Sequence, residues 1–403
     1  MNNRINIEEY NYELLEDRIA QKPLPNRSSS KLLVYDKGII SEKTFRDINE
    51  CIPEDSFLIF NDTKVINARI FFRKETGAKI EIFCLEPIGK SIEKAFECTD
   101  KSDWNCMVGN ASKWRDEILA KNFTVDNTTM KLFAEKTGVS EEGFSIKFYW
   151  EGGFSFSEVM SNAGTTPLPP YIKRKAEISD EERYQTVFAD TEGSVAAPTA
   201  GLHFTREILT SLNNRNILYD FITLNVGAGT FKPMKTNDVY EHRMHREIFT
   251  VRKSFLENLL KCIHKKKTAI GTTSVRTLES LYWLGVLAER TEKDEFAIEQ
   301  WEVYDYMNKE LPEPERAIKN LLALLEKRGT DILEGSTSLM IIPGYKFKLV
   351  DILVTNFHLP SSTLILLVSA FTGSDWKKIY DYALKNDFRF LSYGDSSIII
   401  PQT

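Results

Sequence analysis

The sequence predicts an α/β domain into which a mainly β module is inserted early, and three observations support this. Between Ser56 and Phe156 the segments are strand-like, with period-two alternation in "FSIKFYW". After Tyr184, strand-like and helix-like segments alternate. Two late segments, "TAIGTTSVRTLES" and "DILVTNFHLPSSTL", each run strand, polar loop, helix.

Taken in order, "SFLIF" and "AKIEIFCLE" are β-rich. "FSIKFYW" sets Phe144, Ile146, Phe148 and Trp150 against Ser145, Lys147 and Tyr149, as suits a sheet or small barrel with one wet face. "LYDFITLNV" reads as a strand. "SFLENLLKCIHKKK" reads as a helix opened by a Ser254-x-x-Glu257 capping box, with Leu256, Leu259, Leu260 and Ile263 on its inner face. "KLVDILVTNF" is a buried strand feeding the helix "STLILLVSAF". Gly285 to Ser336 is a charged segment whose second half is amphipathic through Ile318, Leu321, Leu322 and Leu325, with Gly329 placed to end it.

Composition excludes several classes. With 403 residues, 42% hydrophobic and 27% charged, the chain can bury a sizeable core. The first residues lack the apolar core of a signal peptide, and the longest apolar run, "TLILLVSAF", is less than half a membrane span, so a cytoplasmic location is expected. Five cysteines without a CxxC pair argue against a zinc site or a disulfide framework. A net charge of −6 excludes a blanket nucleic-acid binder but not local basic patches, for which "YIKRK" and "HKKK" are the candidates.

Familiar motifs fail. "GKS" at Gly89 has Cys84 where a phosphate loop needs glycine, and "GAGTFK" from Gly227 has Lys232 where a dinucleotide fingerprint needs its third glycine. His242, His245 and Glu247 in "HRMHRE" lack an identifiable further metal ligand. The distribution of histidines is more telling: His203, His242, His245 and His358 fall in turn-rich polar contexts, and His264 sits on a plain helix. The two strand–loop–helix units put Thr272, Thr273, Ser274, Asn356 and His358 at carboxyl ends of strands. There ligands bind in open α/β sheets, and helix N–H groups favour an anion such as a carboxylate. "GSVAAPTAGLHFT", Gly193 to Thr205, is uncharged and made of small residues, as a loop in close approach to a ligand would be.

"YQTVFADTEGSVAAPTAGLHFT", "TLNVGAGTFKPM", "EHRMHREIF", "GTTSVRTLES", "PGYKFKLVDILVTNFHLPSSTLILLVSAF" and "FRFLSYGD" closely resemble the S-adenosylmethionine:tRNA ribosyltransferase-isomerases of queuosine biosynthesis. "YELLEDRIAQKPLPNRSSSKLLV" and "FNDTKVINARIFFRKETGAKIEIF" resemble the N-terminal motifs of the same family. The resemblance implies an α/β main domain (1–62 and 158–403, with a charged helical insertion at about 285–336) and an inserted, mainly antiparallel β-barrel domain (63–157). It implies transfer of the ribosyl group of S-adenosylmethionine to the 7-aminomethyl-7-deazaguanine at the tRNA wobble position, giving epoxyqueuosine, adenine and methionine. The sulfonium acidifies the ribose C5′ hydrogens, so such a reaction needs a base, an acid for adenine and donors for developing oxyanions, with no metal or redox cofactor. A monomer with tRNA and S-adenosylmethionine as partners, and no membrane, is expected.

On this resemblance His203, His245 and His358 are acid/base candidates, with Glu247 orienting or sharing that work. Ser194, Ala197, Thr199, Gly201, Gly227, Gly229, Thr272, Thr273, Ser274, Arg276 and Asn356 are expected to bind substrate. Arg69, Lys173 and Arg174 are expected on tRNA phosphates, with Tyr171 and Tyr393 stacking an unpaired base. The sequence departs from the family pattern at Asn225, where histidine is usual, at Ser361, where lysine is usual, and at Lys31, which replaces arginine. Asn225 and Ser361 motivate a competing reading, a tRNA-binding homologue that has lost catalysis. A third reading is a metal-dependent hydrolase built on His242, His245 and Glu247.

Overall fold

The computed structural model describes residues 5–125, 127–140, 143–227, 234, 236–289 and 295–402. A ten-stranded mixed sheet runs, edge to edge, Phe296–Ile298, Ile332–Thr337, Glu247–Arg252, Leu218–Asn225, Ser56–Asn61, Lys266–Ile270, Ile352–Asn356, Ser396–Ile400, Lys31–Asp36, Ile39–Thr44. Its four central strands, Leu218–Asn225 to Ile352–Asn356, are mutually parallel. Ser56–Asn61 is buried along its whole length, which is why "SFLIF" carries no alternation. One face of the sheet is covered by a large apolar cluster that includes Trp283, Leu321, Leu353 and Tyr380, the other by a smaller one around Phe60, Phe204 and Ile208.

A second, seven-stranded sheet is antiparallel throughout and runs from Gly164–Thr165 through Arg69–Arg73 to Leu119–Val125. Its strand Gly143–Trp150 buries Ile146, Phe148 and Trp150, as the period-two pattern requires, with Phe144 half-buried. The sheet curls around its own core of Trp104, Phe148 and Phe156. Closure into a barrel is not seen: no ladder joins Leu119–Val125 to Gly164–Thr165 among the described residues. The amphipathic helix Phe156–Ala163 packs against Leu119–Val125 instead, supplying Phe156, Val159, Met160 and Ala163 to the core where a further strand pair would lie.

Two local expectations need correction. The helix expected to open at a Ser254–Glu257 capping box begins one residue earlier, at Lys253, and its cap Arg252 makes no side-chain hydrogen bond. Burial of Phe255, Leu256 and Leu259 against the sheet sets its start, overriding the cap signal. The segment 285–336 is not simply helical. It contributes the edge strand Phe296–Ile298 and its neighbour Ile332–Thr337, which pairs on its other side with Glu247–Arg252, as well as the helix Pro314–Arg328, which ends on Gly329 at φ 64° as expected.

That helix lies against Thr272–Ala288 at Gly285, where a Cβ would fall 2.1 Å from the Ala317 carbonyl oxygen. Glu279, fully buried on the same helix, accepts N–H groups from Lys348, Leu349 and Val350 and the Tyr345 hydroxyl, fixing the chain that enters the strand Ile352–Asn356. No helix among the described residues is long and apolar enough to cross a membrane.

Gly285→Ala is expected to destabilise the fold. The helix-propensity gain of about 1 kcal/mol is outweighed by an overpacking cost of about 1–3 kcal/mol against a rigid carbonyl. Thermal unfolding checks this, and an unchanged or raised midpoint would show that the two helices can part freely.

Candidate functional site

The carboxyl ends of the central parallel strands open into a cleft of about 720 Å³. One wall is the ribbon Ala197–Ala200. The opposite wall comes from Gly271–Thr273 after one strand and from Asn356–Leu359 after the next, with Val226, Tyr171 and Ser392 completing the rim. Local sequence builds each wall. Gly271, at φ 93°, turns the strand Lys266–Ile270 into the helix Thr272–Ala288, a turn that disfavours any side chain. Ser362 caps the helix Thr363–Thr372 by accepting the Ile365 N–H. Two helix N-termini therefore face the same space, a favourable setting for an anion.

The ribbon reaches the cleft because small residues let it. Gly193 passes so close to Asn225 that a Cβ would lie 2.8 Å from the amide oxygen. Ser194 donates to the Ala196 carbonyl and accepts the Val226 N–H at 2.9 Å, which ties the ribbon to the strand Leu218–Asn225. Thr199–His203 then forms a 3-10 turn.

Asn356 is the hub. Its side-chain N–H₂ group donates to His203 Nε2 at 3.1 Å, to the Leu391 carbonyl at 3.2 Å and to the Asp395 carbonyl at 3.4 Å. Its Oδ1 is buried with no protein partner. An acceptor left unsatisfied at a cleft wall costs on the order of 1–3 kcal/mol, and a donor on a bound molecule would recover it. Leu391 itself sits at φ 69°, a strained conformation for a bulky residue, and is held there by its N–H bond to the Phe357 carbonyl.

Burial pushes both His203 and His358 down to about 3, so both imidazoles are neutral at physiological pH. His358 lines the cleft, with Nε2 2.9 Å from the Thr355 hydroxyl and its carbonyl accepting from Tyr12. His203 does not line it. Its Nδ1 meets Ser30 Oγ at 2.9 Å and its Nε2 meets Asn356, so both nitrogens are engaged in the interior.

The structure thus brings together Ala197, Thr199, Thr272, Thr273, Asn356, His358 and Tyr171. His245, Glu247 and Arg276 lie in a neighbouring pocket of about 520 Å³ that meets the cleft at Leu364. There Arg276 pairs with Glu247 and donates to the Leu339 and Thr337 carbonyls, so its guanidinium is committed to protein groups. His242 shares this pocket, lowered by burial and by the neighbouring His245, and Glu247 is bound to Arg276 rather than offered to a metal.

Other expected residues stand elsewhere. Ser194 and Ser274 are buried, the latter donating to the Ile270 carbonyl. Gly201 packs on Thr186 and Phe188, Gly227 follows the strand Leu218–Asn225, and Gly229 lies outside the described residues. Arg69 pairs with Glu81, and Arg174 forms a two-pronged bond to buried Asp180. Lys173 is exposed against Glu16. Tyr393 is 4% exposed with its hydroxyl on Asp180, so it presents no free face for a base.

Sequence reasoning missed Ser392, Leu391, Val226 and Ser362. Ser392 and Leu391 stand in "FRFLSYGD", where the tyrosine drew attention away from its neighbours. The signal available was the polar turn before the final strand.

A queuosine biosynthesis protein family model matches residues 7–399. The chain belongs to this family. It is 37% identical over 401 residues to an S-adenosylmethionine:tRNA ribosyltransferase-isomerase of Halothermothrix orenii, covering 98% of this chain and 99% of that one. It is 37% identical over 398 residues to the protein of the same name from Clostridioides difficile, covering 97% and 98%. It is also similar to the crystal structure of an S-adenosylmethionine tRNA ribosyltransferase from Thermotoga maritima, with 27% identity, coverage of 97% and 99%, and a TM-score of 0.46.

Because native His203 and His358 take up protons well below the ordinary histidine value of about 6.5, the unfolded chain binds more protons below that pH. Stability is therefore expected to fall as pH drops from about 6.5 toward 3. Replacing His203 by Gln should make urea-derived stability less steep between about pH 6 and pH 5, by about 1 kcal/mol per pH unit. Equal slopes would mean that His203 is protonated in the fold.

Proposed function

We propose that this chain is an S-adenosylmethionine:tRNA ribosyltransferase-isomerase. It moves the ribosyl group of S-adenosylmethionine onto the 7-aminomethyl-7-deazaguanine at the tRNA wobble position and releases adenine and methionine. The observation that carries the reading is the near full-length likeness to relatives of that name, at 35–37% identity. The enzyme acts in the cytoplasm, as a monomer, and the sulfonium supplies the activation that a metal or redox cofactor would otherwise provide.

S-adenosylmethionine occupies the cleft. Its nucleoside lies along Ala197–Ala200, where small side chains let backbone groups approach it, and Asn356 Oδ1 accepts a hydrogen bond from an amino or hydroxyl group. The methionine carboxylate faces the N-termini of the helices beginning at Thr272 and Thr363. His358 presents a neutral imidazole that burial makes a weak base, and the methionine carboxylate that enters with the substrate favours its protonated form, while His245 works from the adjoining pocket with Glu247 held in place by Arg276. His203 positions Asn356 rather than touching the reacting atoms.

Loss of catalysis finds no support in the two departures that suggested it. Asn225 accepts the Thr63 hydroxyl and Ser361 occupies a left-handed turn bonded to the Tyr10 carbonyl; neither lines the cleft.

Incubation with labelled S-adenosylmethionine and tRNA bearing the precursor base should give equal amounts of adenine and ribosylated tRNA. Adenine without transfer, or neither product, would defeat the assignment. His245→Ala and His358→Ala should each lower kcat by at least about tenfold with folding retained. Near-normal turnover would remove that histidine from the proton-transfer roles.

A further inference from the structure

On the other side of Ser392 from the cleft lies a separate pocket of about 290 Å³, walled by Arg27, Arg183, Arg389, His203, Ser392 and Tyr393. It holds three guanidinium groups, and no Asp or Glu is part of its lining. Arg389 is partly balanced by buried Asp395 at 3.3 Å. Arg27 and Arg183 form no ion pair within 4.0 Å among the described residues. Their N–H groups are held by neutral carbonyls, those of Gln185 and Glu182 for Arg27 and those of Pro25 and Leu24 for Arg183. Arg183 Nε is buried with no partner at all.

Two like charges converging in a half-buried space with no carboxylate in ion-pair contact are unfavourable, and fixing them with backbone carbonyls orients them without neutralising them. Burial and then the neighbouring Arg183 charge push the Arg27 guanidinium down from its ordinary value, and the nearby Glu182 carboxylate and Tyr393 offset this only in part. His203, neutral beside Arg389 and Arg27, adds no charge of its own. The cleft on the other side of Ser392 is lined by no charged side chain. The trough therefore offers an uncharged compartment for a base and a nucleoside, and next to it a cationic one.

We infer that the Arg27–Arg183–Arg389 pocket binds a backbone phosphodiester of the RNA strand whose base enters the cleft. This rests on the proposed function and deepens it by naming where the polynucleotide, rather than its modified base, is gripped. Nη2 of Arg27 and both terminal nitrogens of Arg183 each carry a second N–H beyond the one given to a carbonyl, and Arg389 has donors beyond its bond to Asp395, so these guanidinium groups keep donors for phosphate oxygens; a phosphate contact positions a strand without reading its sequence. The other anion available to this enzyme is the carboxylate of S-adenosylmethionine, so the test must separate the two.

Arg183→Gln and Arg389→Gln should each raise KM for precursor tRNA about tenfold and leave KM for S-adenosylmethionine unchanged. Each should also make the dependence of log affinity on log salt shallower by about 0.7 for a single-stranded contact. Arg183→Lys, which keeps the charge but not the paired donors, should restore the salt slope and recover part of the loss in tRNA affinity, whereas a merely structural arginine tied to Leu24 and Pro25 would not be rescued. Measuring binding of an anticodon stem-loop RNA without S-adenosylmethionine keeps the pocket testable even if ribosyl transfer fails. A rise in KM for S-adenosylmethionine alone would assign the pocket to the carboxylate. Unchanged RNA affinity and salt slope in folded variants would overturn the inference.

Discussion

The side-chain amide of Asn356 is the interaction on which the site depends. It ends a central parallel strand and binds three separate partners: His203 from the small-residue ribbon, and the carbonyls of Leu391 and Asp395 from the turn before the last strand. Segments far apart in sequence are thereby gathered around the carboxyl edge of the sheet, where strand ends leave a crevice that the crossover helices do not fill. A hydrophobic residue at position 356 could fill the volume but could satisfy none of these groups, and a buried His203 nitrogen and two carbonyls would lose their partner. The cost of that network is one orphaned oxygen, Oδ1, on a residue that lines the cleft.

Electrostatics divides the trough into compartments. The cleft lining is neutral, because His358 is held uncharged by burial and its other walls are small, apolar or hydroxyl-bearing. A sulfonium nucleoside carries its own positive charge and its own carboxylate, so a neutral pocket with two helix N-termini suits it better than a charged one. Charged chemistry is displaced to either side: the Glu247–Arg276 pair with His242 and His245 beyond Leu364, and the arginine pocket beyond Ser392. Within a low-dielectric interior this separation keeps the fixed cations and carboxylate from setting the protonation of the groups nearest the reacting atoms.

Much of this was legible in the sequence because it depends on local rules. Strand–loop–helix patterning put Thr272, Thr273, Asn356 and His358 on one edge, and the run of small residues pointed to close approach at Ala197–Ala200. What was not legible depends on partners distant in sequence. Arg174 and Tyr393 read as free cation and free ring, yet both are spent on Asp180, and Arg69 is spent on Glu81. His203 read as an acid/base group in a turn, but Ser30 and Asn356 claim its two nitrogens. The 285–336 segment read as a charged helix because its two strands are short, and tertiary pairing with each other and with Glu247–Arg252, not periodicity, makes them strands. The arginines at 27, 183 and 389 are scattered through the chain, and no spacing links them.

The most direct test is a crystal structure of the protein with S-adenosylmethionine bound. The account requires density for the nucleoside against the Ala197–Ala200 backbone, with an amino or hydroxyl group within hydrogen-bonding distance of Asn356 Oδ1. Density in another cavity, such as the one beneath Phe188 and Asp190, with the cleft left empty, would contradict it.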